Sequence, residues 1–105
     1  MDKIIEFKGD RNDFKRFIRE KSNSHIFIKY YADWCGPCKN IKNEFITLFD
    51  KYKHPDKLAV YINIDECQDV SSAMKIRSVP TIQSYKNGMP DKVIIGVNNL
   101  KMLFE

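Results

Sequence analysis

Two apolar runs, His25 to Tyr31 (HIFIKYY) and Leu58 to Ile64 (LAVYINI), flank the strongest amphipathic stretch of the chain. Nearly every position in each run is apolar, the pattern of a strand covered on both faces. Between them Ile41, Phe45, Leu48, Phe49 and Tyr52 recur at spacings of three and four. That period predicts a helix, closed by His54-Pro55-Asp56. Strand, helix and strand in this order make a βαβ unit, which needs a sheet with helices packed on it.

The flanks extend the pattern. Ile4 to Phe7 reads as a short strand and Gly9-Asp10 as a turn. Asp10 or Asn12 can cap a helix in which Phe14, Phe17, Ile18 and Lys21 share a face, ended by Ser22-Asn23-Ser24. Asp65 precedes a short helix carrying Val70, Ala73 and Met74. Beyond Pro80, Thr81 to Lys86 and Val93 to Ile95 read as strands joined at Asn87-Gly88, a hairpin signal. Gly96 breaks the chain, and Leu100, Leu103 and Phe104 mark a brief last helix. The order β-α-β-α-β-α-β-β-α predicts an α/β fold, a mixed central sheet flanked by helices on both faces. With 43% hydrophobic residues, seven Phe and five Tyr, the 105 residues suffice for one domain over 1–105 and its core.

The net charge is +4, and basic residues are scattered in short groups such as Lys15-Arg16. Such spacing predicts solvated helix faces, not a nucleic-acid surface, although a mild positive field favours acidic partners. No run approaches the ~18 apolar residues of a membrane span. Met1 to Glu6 lacks the long apolar stretch of a signal peptide. A cytoplasmic protein is expected, with neither membrane nor nucleic acid as partner.

Three cysteines, an odd number without an export signal, argue against a structural disulfide framework. Cys35 and Cys38 lie just beyond the first apolar run, after Ala32-Asp33-Trp34. Gly36 permits the close approach a small disulfide loop needs, and Pro37, with fixed φ, suits a first helical turn. Cys35 then sits at a helix N-terminus, where a thiolate is stabilised, and Cys38 one turn inside is more sheltered. This predicts Cys35 as the nucleophile and Cys38 as the resolving thiol. Zinc would need four ligands; no second CxxC is present, and Cys67, His25 and His54 lack ligand spacing, so no metal is expected. An inert pair is disfavoured, since CxxC within a βαβ pattern carries a redox mechanism. Cys67, after Asp65-Glu66, is expected on an exposed turn or helix start, without catalytic duty.

Ala32-Asp33-Trp34-Cys35-Gly36-Pro37-Cys38-Lys39 resembles the active-site segment of thioredoxins, and the similarity covers nearly the whole chain. Asn63-Ile64-Asp65 is similar to the end of that family's third strand, and Ser78-Val79-Pro80-Thr81 to its substrate-binding loop. Lys86-Asn87-Gly88 and Gly96 fall where the family has a hairpin turn and a late glycine. Glutaredoxins, disulfide isomerases and periplasmic oxidases usually have other residues than Gly-Pro between the cysteines. The resemblance implies the thioredoxin fold and a cis peptide between Val79 and Pro80 beside the disulfide. It also implies main-chain groups at Val79 offered to an extended substrate, and Trp34 covering the active-site face. The implied activity is protein-disulfide reduction with no bound cofactor. Electrons would come from NADPH through a flavin-containing thioredoxin reductase, the clients would be disulfide-containing proteins, and the working form would be a monomer.

The departures are specific. Lys29 stands six residues before Cys35, where the family commonly has Asp, and Asn43 stands where a Pro usually kinks the second helix. A straighter helix follows, and a last helix about a turn shorter than usual. Lys29 is a candidate active-site support residue with two outcomes. Its stem can run along apolar surface to water. Alternatively the amine lies near Cys38, stabilising thiolate when charged or acting as a base when neutral. A charged Lys29 could not accept the Cys38 proton, as the family's carboxylate is thought to do. Three functions stay open: a reductase, an oxidase or isomerase if Lys29 makes the disulfide a better oxidant, and a non-catalytic binding subunit on the same fold.

Overall fold

The middle of the sheet is the first apolar run, in a computed structural model that describes residues 4–40, 42–51, 56–96 and 102. Among the described residues are five strands: β1 (Ile4–Glu6), β2 (His25–Tyr31), β3 (Lys57–Asn63), β4 (Thr81–Lys86) and β5 (Met89–Ile95). Their spatial order is β1-β3-β2-β4-β5. β2 runs parallel to β3 from His25 opposite Lys57 to Tyr31 opposite Asn63. On its other side β2 runs antiparallel to β4, from Ile26 opposite Tyr85 to Tyr30 opposite Thr81. β1 is parallel to β3, and β5 antiparallel to β4. The sheet is mixed, as the sequence predicts.

Four helical stretches, α1 (Arg11–Glu20), α2 (Gly36–Asn40), α3 (Lys42–Lys51) and α4 (Gln68–Ala73), cover it. Alternation along β2 sends Ile26, Ile28 and Tyr30 into one cluster with Phe14 and Ile18 of α1 and Val70 of α4. Phe27 points the other way, into a second cluster with Phe45 and Phe49 of α3. β3 divides likewise, Leu58, Val60 and Ile62 joining the first cluster and Ala59 the second. Each fully buried aliphatic side chain contributes about 1.5–3 kcal/mol. Period two in the strands and burial on both faces explain why β2 and β3 read as continuous apolar runs.

Local chemistry sets the ends. Asp10, not Asn12, caps α1: its carboxylate accepts from the N–H groups of Asn12 and Asp13, and Asp13 Oδ2 accepts from Asp10 N–H at 2.9 Å. That reciprocal pair is a capping box. Lys21 is the exposed C-cap rather than part of the buried face. β3 begins and ends one residue before the predicted run, because the Lys57 stem is itself buried with its Nζ 4.2 Å from the centre of the Phe49 ring. Residues 41, 52, 54, 55, 100, 103 and 104, on which the predicted helix 2 and last helix partly rest, lie outside the described residues. So does the Asn43 side chain, and with it the expected straightness of the helix about residue 41.

Candidate active site

β2 ends at Tyr31, and the next turn carries the disulfide between Cys35 and Cys38, whose Cα atoms are 5.3 Å apart. The Cys35 N–H donates to the Ala32 carbonyl at 3.1 Å. Ala32, Cys35 and Cys38 form a small cluster with Tyr31, Ile64 and Val79 packed against it. The expected difference in shelter is absent in this disulfide form, since Cys35 is 2% and Cys38 3% exposed. What separates the two sulfurs is hydrogen bonding: the Cys38 N–H donates to Cys35 Sγ at 3.1 Å. Such a donor favours the thiolate form of its acceptor. Pro37 lies in the first turn of α2, as predicted. Gly36 has a different role from the one predicted. Its φ is not left-handed, and a Cβ there would meet nothing within 4 Å. The turn therefore does not need glycine; the residue leaves open space beside Cys35.

Trp34 is 68% exposed, and its Nε1–H donates to Asp65 Oδ2 at 2.9 Å. The indole is thereby fixed beside Cys35. Asp65 is in turn held by buried Asn63, whose Oδ1 accepts from the N–H groups of Asp65 (2.9 Å) and Glu66 (3.3 Å). Sequence reasoning gave Asn63 and Asp65 no role. The available signal was Asn at a strand end two residues before Asp, the pattern of an Asx-turn. The Val79–Pro80 peptide is cis, and Val79 packs against the disulfide cluster. Thr81 Oγ1–H donates to the Ser78 carbonyl at 2.8 Å, and Gly96 N–H to that of Pro80 at 2.9 Å. These bonds hold the loop against the site.

Behind Cys38 lies a cavity of about 270 Å³. Lys29 lines it together with Glu6, Tyr31, Asp33, Tyr61 and Cys38. Burial of Lys29 speaks against a stem that runs out to water. The side chain is 3% exposed, with Nζ 4.9 Å from the centre of the Tyr61 ring, a cation–π contact. Tyr31 O–H lies 3.0 and 2.9 Å from the two Glu6 carboxylate oxygens, to which it donates. Burial, reinforced by that bond, pushes the Tyr31 hydroxyl up to about 12. Burial also holds the Glu6 carboxyl above the usual range, with Tyr31's donation opposing.

Cys67 differs from its expected exposed position. It does start a helix, as the N-cap of α4, but that helix packs on the core and the side chain is 3% exposed. Its Sγ–H donates to the Phe7 carbonyl at 3.5 Å. Among the described residues no three His, Cys, Asp or Glu converge as metal ligands, and no helix is long and apolar enough to cross a membrane.

A family model described as thioredoxin matches residues 6–105. Thioredoxin of Mus musculus is 35% identical over 102 residues, covering 97% of this chain and 92% of that protein. The crystal structure of Schistosoma mansoni thioredoxin aligns with a TM-score of 0.81 at 30% identity, over 95% of this chain and 89% of that one. Mitochondrial thioredoxin 3 from Saccharomyces cerevisiae in its oxidised form aligns at 0.78 and 30% identity, over 90% and 85%.

Proposed function

The chain belongs to the thioredoxin family and carries its protein-disulfide reductase chemistry in the Cys35–Cys38 pair; we propose that Cys35 attacks and Cys38 resolves. The reduced protein presents the Cys35 thiolate to a client disulfide. A bond forms between Cys35 Sγ and one client sulfur as the client S–S bond breaks, and the second client sulfur leaves as thiolate. Cys38 then attacks Cys35 Sγ, closing the disulfide and releasing the client reduced by two electrons. The observation that carries the assignment is the Cys38 N–H donating to Cys35 Sγ, which favours thiolate on Cys35.

The client lies over the open space at Gly36, between exposed Trp34 and the Val79 main chain, in this reading. Thioredoxins need no bound cofactor. The electrons come from NADPH through a flavin-containing thioredoxin reductase, and the working compartment is the cytoplasm. Family membership supports the electron route, while a mitochondrial thioredoxin among the similar structures leaves the compartment to be tested by locating the tagged full-length chain. Insulin reduction tests the function: Cys35→Ser abolishes it, and Cys38→Ser traps clients as mixed disulfides on Cys35. Adducts that form on Cys38 in Cys35→Ser, with none on Cys35 in the reverse variant, overturn the roles. Lys29 on the cavity that Cys38 lines favours a second reading, a disulfide oxidant, which a measured redox potential separates from the first.

A further inference from the structure

Cys38 must lose a proton before it can attack, yet only 3% of it is exposed, so bulk water does not reach it freely. The two lysines that line the cavity with it, Lys29 and Lys39, cannot help when charged: an ammonium has three donors and no acceptor, so it stabilises a thiolate without taking the proton. We propose that Glu6 is the proton acceptor for Cys38, acting through the cavity that Lys29, Tyr31 and Tyr61 line. The proposal rests on Cys38 being the resolving thiol.

The placement carries it. Glu6 stands at the end of edge strand β1, is itself exposed, and lines the same cavity as Cys38, so it touches the buried thiol's surroundings and bulk water alike. Tyr31 O–H grips both its carboxylate oxygens, which aims the group and leaves it lone pairs to accept a proton. The buried hydroxyl of Tyr61, without a hydrogen-bond partner among the described residues, lines the same cavity as a group able to donate and accept. The charged and titratable groups facing Glu6 are Tyr31 and Lys29 from β2, Tyr61 from β3, Asp33 and Lys39 around the disulfide turn, and Lys8 and Glu66 outside the cavity. Of these only Asp33 is a second carboxylate on the cavity, and it faces the Asn63 amide at 3.5 Å. A Glu6 carboxyl held above the usual range by burial stands closer in affinity to a thiol than an ordinary surface carboxylate does.

The step balances. The Cys38 S–H proton passes to Glu6 and from Glu6 to solvent. The electron pair left on sulfur forms the bond to Cys35 Sγ, and the Cys35–client bond breaks with the client sulfur taking its pair and then a solvent proton. Glu6 acts through the cavity rather than on the sulfur directly, so the test reads the proton and not the fold. Reduced protein is mixed with insulin, quenched in acid at intervals, and the Cys35-linked mixed disulfide is counted by mass spectrometry from pH 6 upward. In Glu6→Gln, attack by Cys35 keeps its rate while resolution slows about 100-fold at the acidic end, the low end for general-base catalysis. The deficit closes as pH rises through the thiol range of about 8.5, where Cys38 ionises unaided. Glu6→Asp, which retains a carboxylate, recovers most of the rate. Resolution at the wild-type rate in Glu6→Gln overturns the proposal. So does slowing that is equal at every pH, or loss that follows Asp33→Asn instead. Adducts mapped to Cys38 in the wild type would overturn the underlying assignment of roles, a distinct result.

Discussion

The lysine at position 29 is a buried basic side chain on the cavity behind Cys38. Its ammonium shares a cavity with Cys38, and a positive charge there favours thiolate over thiol. Stabilised thiolates make the dithiol form cheaper and the disulfide a better oxidant. Lys29→Met therefore raises the thiol pKa values of the Cys35–Cys38 pair and makes the disulfide more reducing, with folding retained. Thiolate absorbance titration and equilibration against glutathione measure both shifts. A lone thiol makes the opposite lesson. Buried Cys67, tied to the Phe7 carbonyl, stays unlabelled by iodoacetamide in the folded disulfide form and reacts only on unfolding. Peroxide gives no Cys67-linked dimer on a non-reducing gel. The residues of the active turn were legible because their chemistry is local in sequence. The burial of Cys67 and the cavity around Lys29 were not, since β1, β2, β3 and α4 meet there from distant parts of the chain.

Elements were legible wherever their period was unbroken, and misread where one residue broke it. The sequence pattern places the start of β5 at Val93, since Pro90 interrupts it, whereas the strand begins at Met89. Proline is tolerated there since β5 is an edge strand, and the pairing shifts between Ser84 and Tyr85. The turn before it was read correctly: Asn87 and Gly88 both have positive φ, at 56° and 78°. The end of α4 carried no such signal. Lys75 occupies the left-handed position after the helix, φ 58°, where glycine is usual, and Ile76 N–H donates back to the Ser71 carbonyl at 2.9 Å. Lys75→Gly relieves the clash of its Cβ and raises stability by about 0.5–1 kcal/mol in urea unfolding. Arg11 joins the start of α1 to α4, its Nε and backbone N–H donating to Asp69 at 2.9 and 2.8 Å. Arg11 holds the Asp69 carboxyl below the usual range. A carboxyl whose folded pKa is depressed contributes stability above its unfolded pKa, and that contribution is lost as pH falls through the folded value. Melting temperature accordingly falls more steeply below roughly pH 4 in the wild type than in Asp69→Asn.

At the scale of the molecule, β2 keeps the two cores apart, so they respond independently. Ile18 lies in the cluster under α1 and Ile82 in the one under α3. Ile18→Val and Ile82→Val each cost about 0.5–1.5 kcal/mol, and the double variant costs their sum within about 0.5 kcal/mol. A larger deviation in denaturant unfolding would show that the sheet transmits strain between its faces. The same central position of β2 has a consequence for synthesis. The strand is complete at Tyr31, but one neighbour consists of residues 57–63 and the other of residues 81–86. A nascent chain leaving the ribosome thus carries an apolar ribbon with both backbone edges unpaired until residues 57–63 have followed. Its second edge stays open until the hairpin strand emerges. Chaperone capture and premature association concentrate in that interval, at HIFIKYY, the segment that afterwards lies at the centre of the sheet.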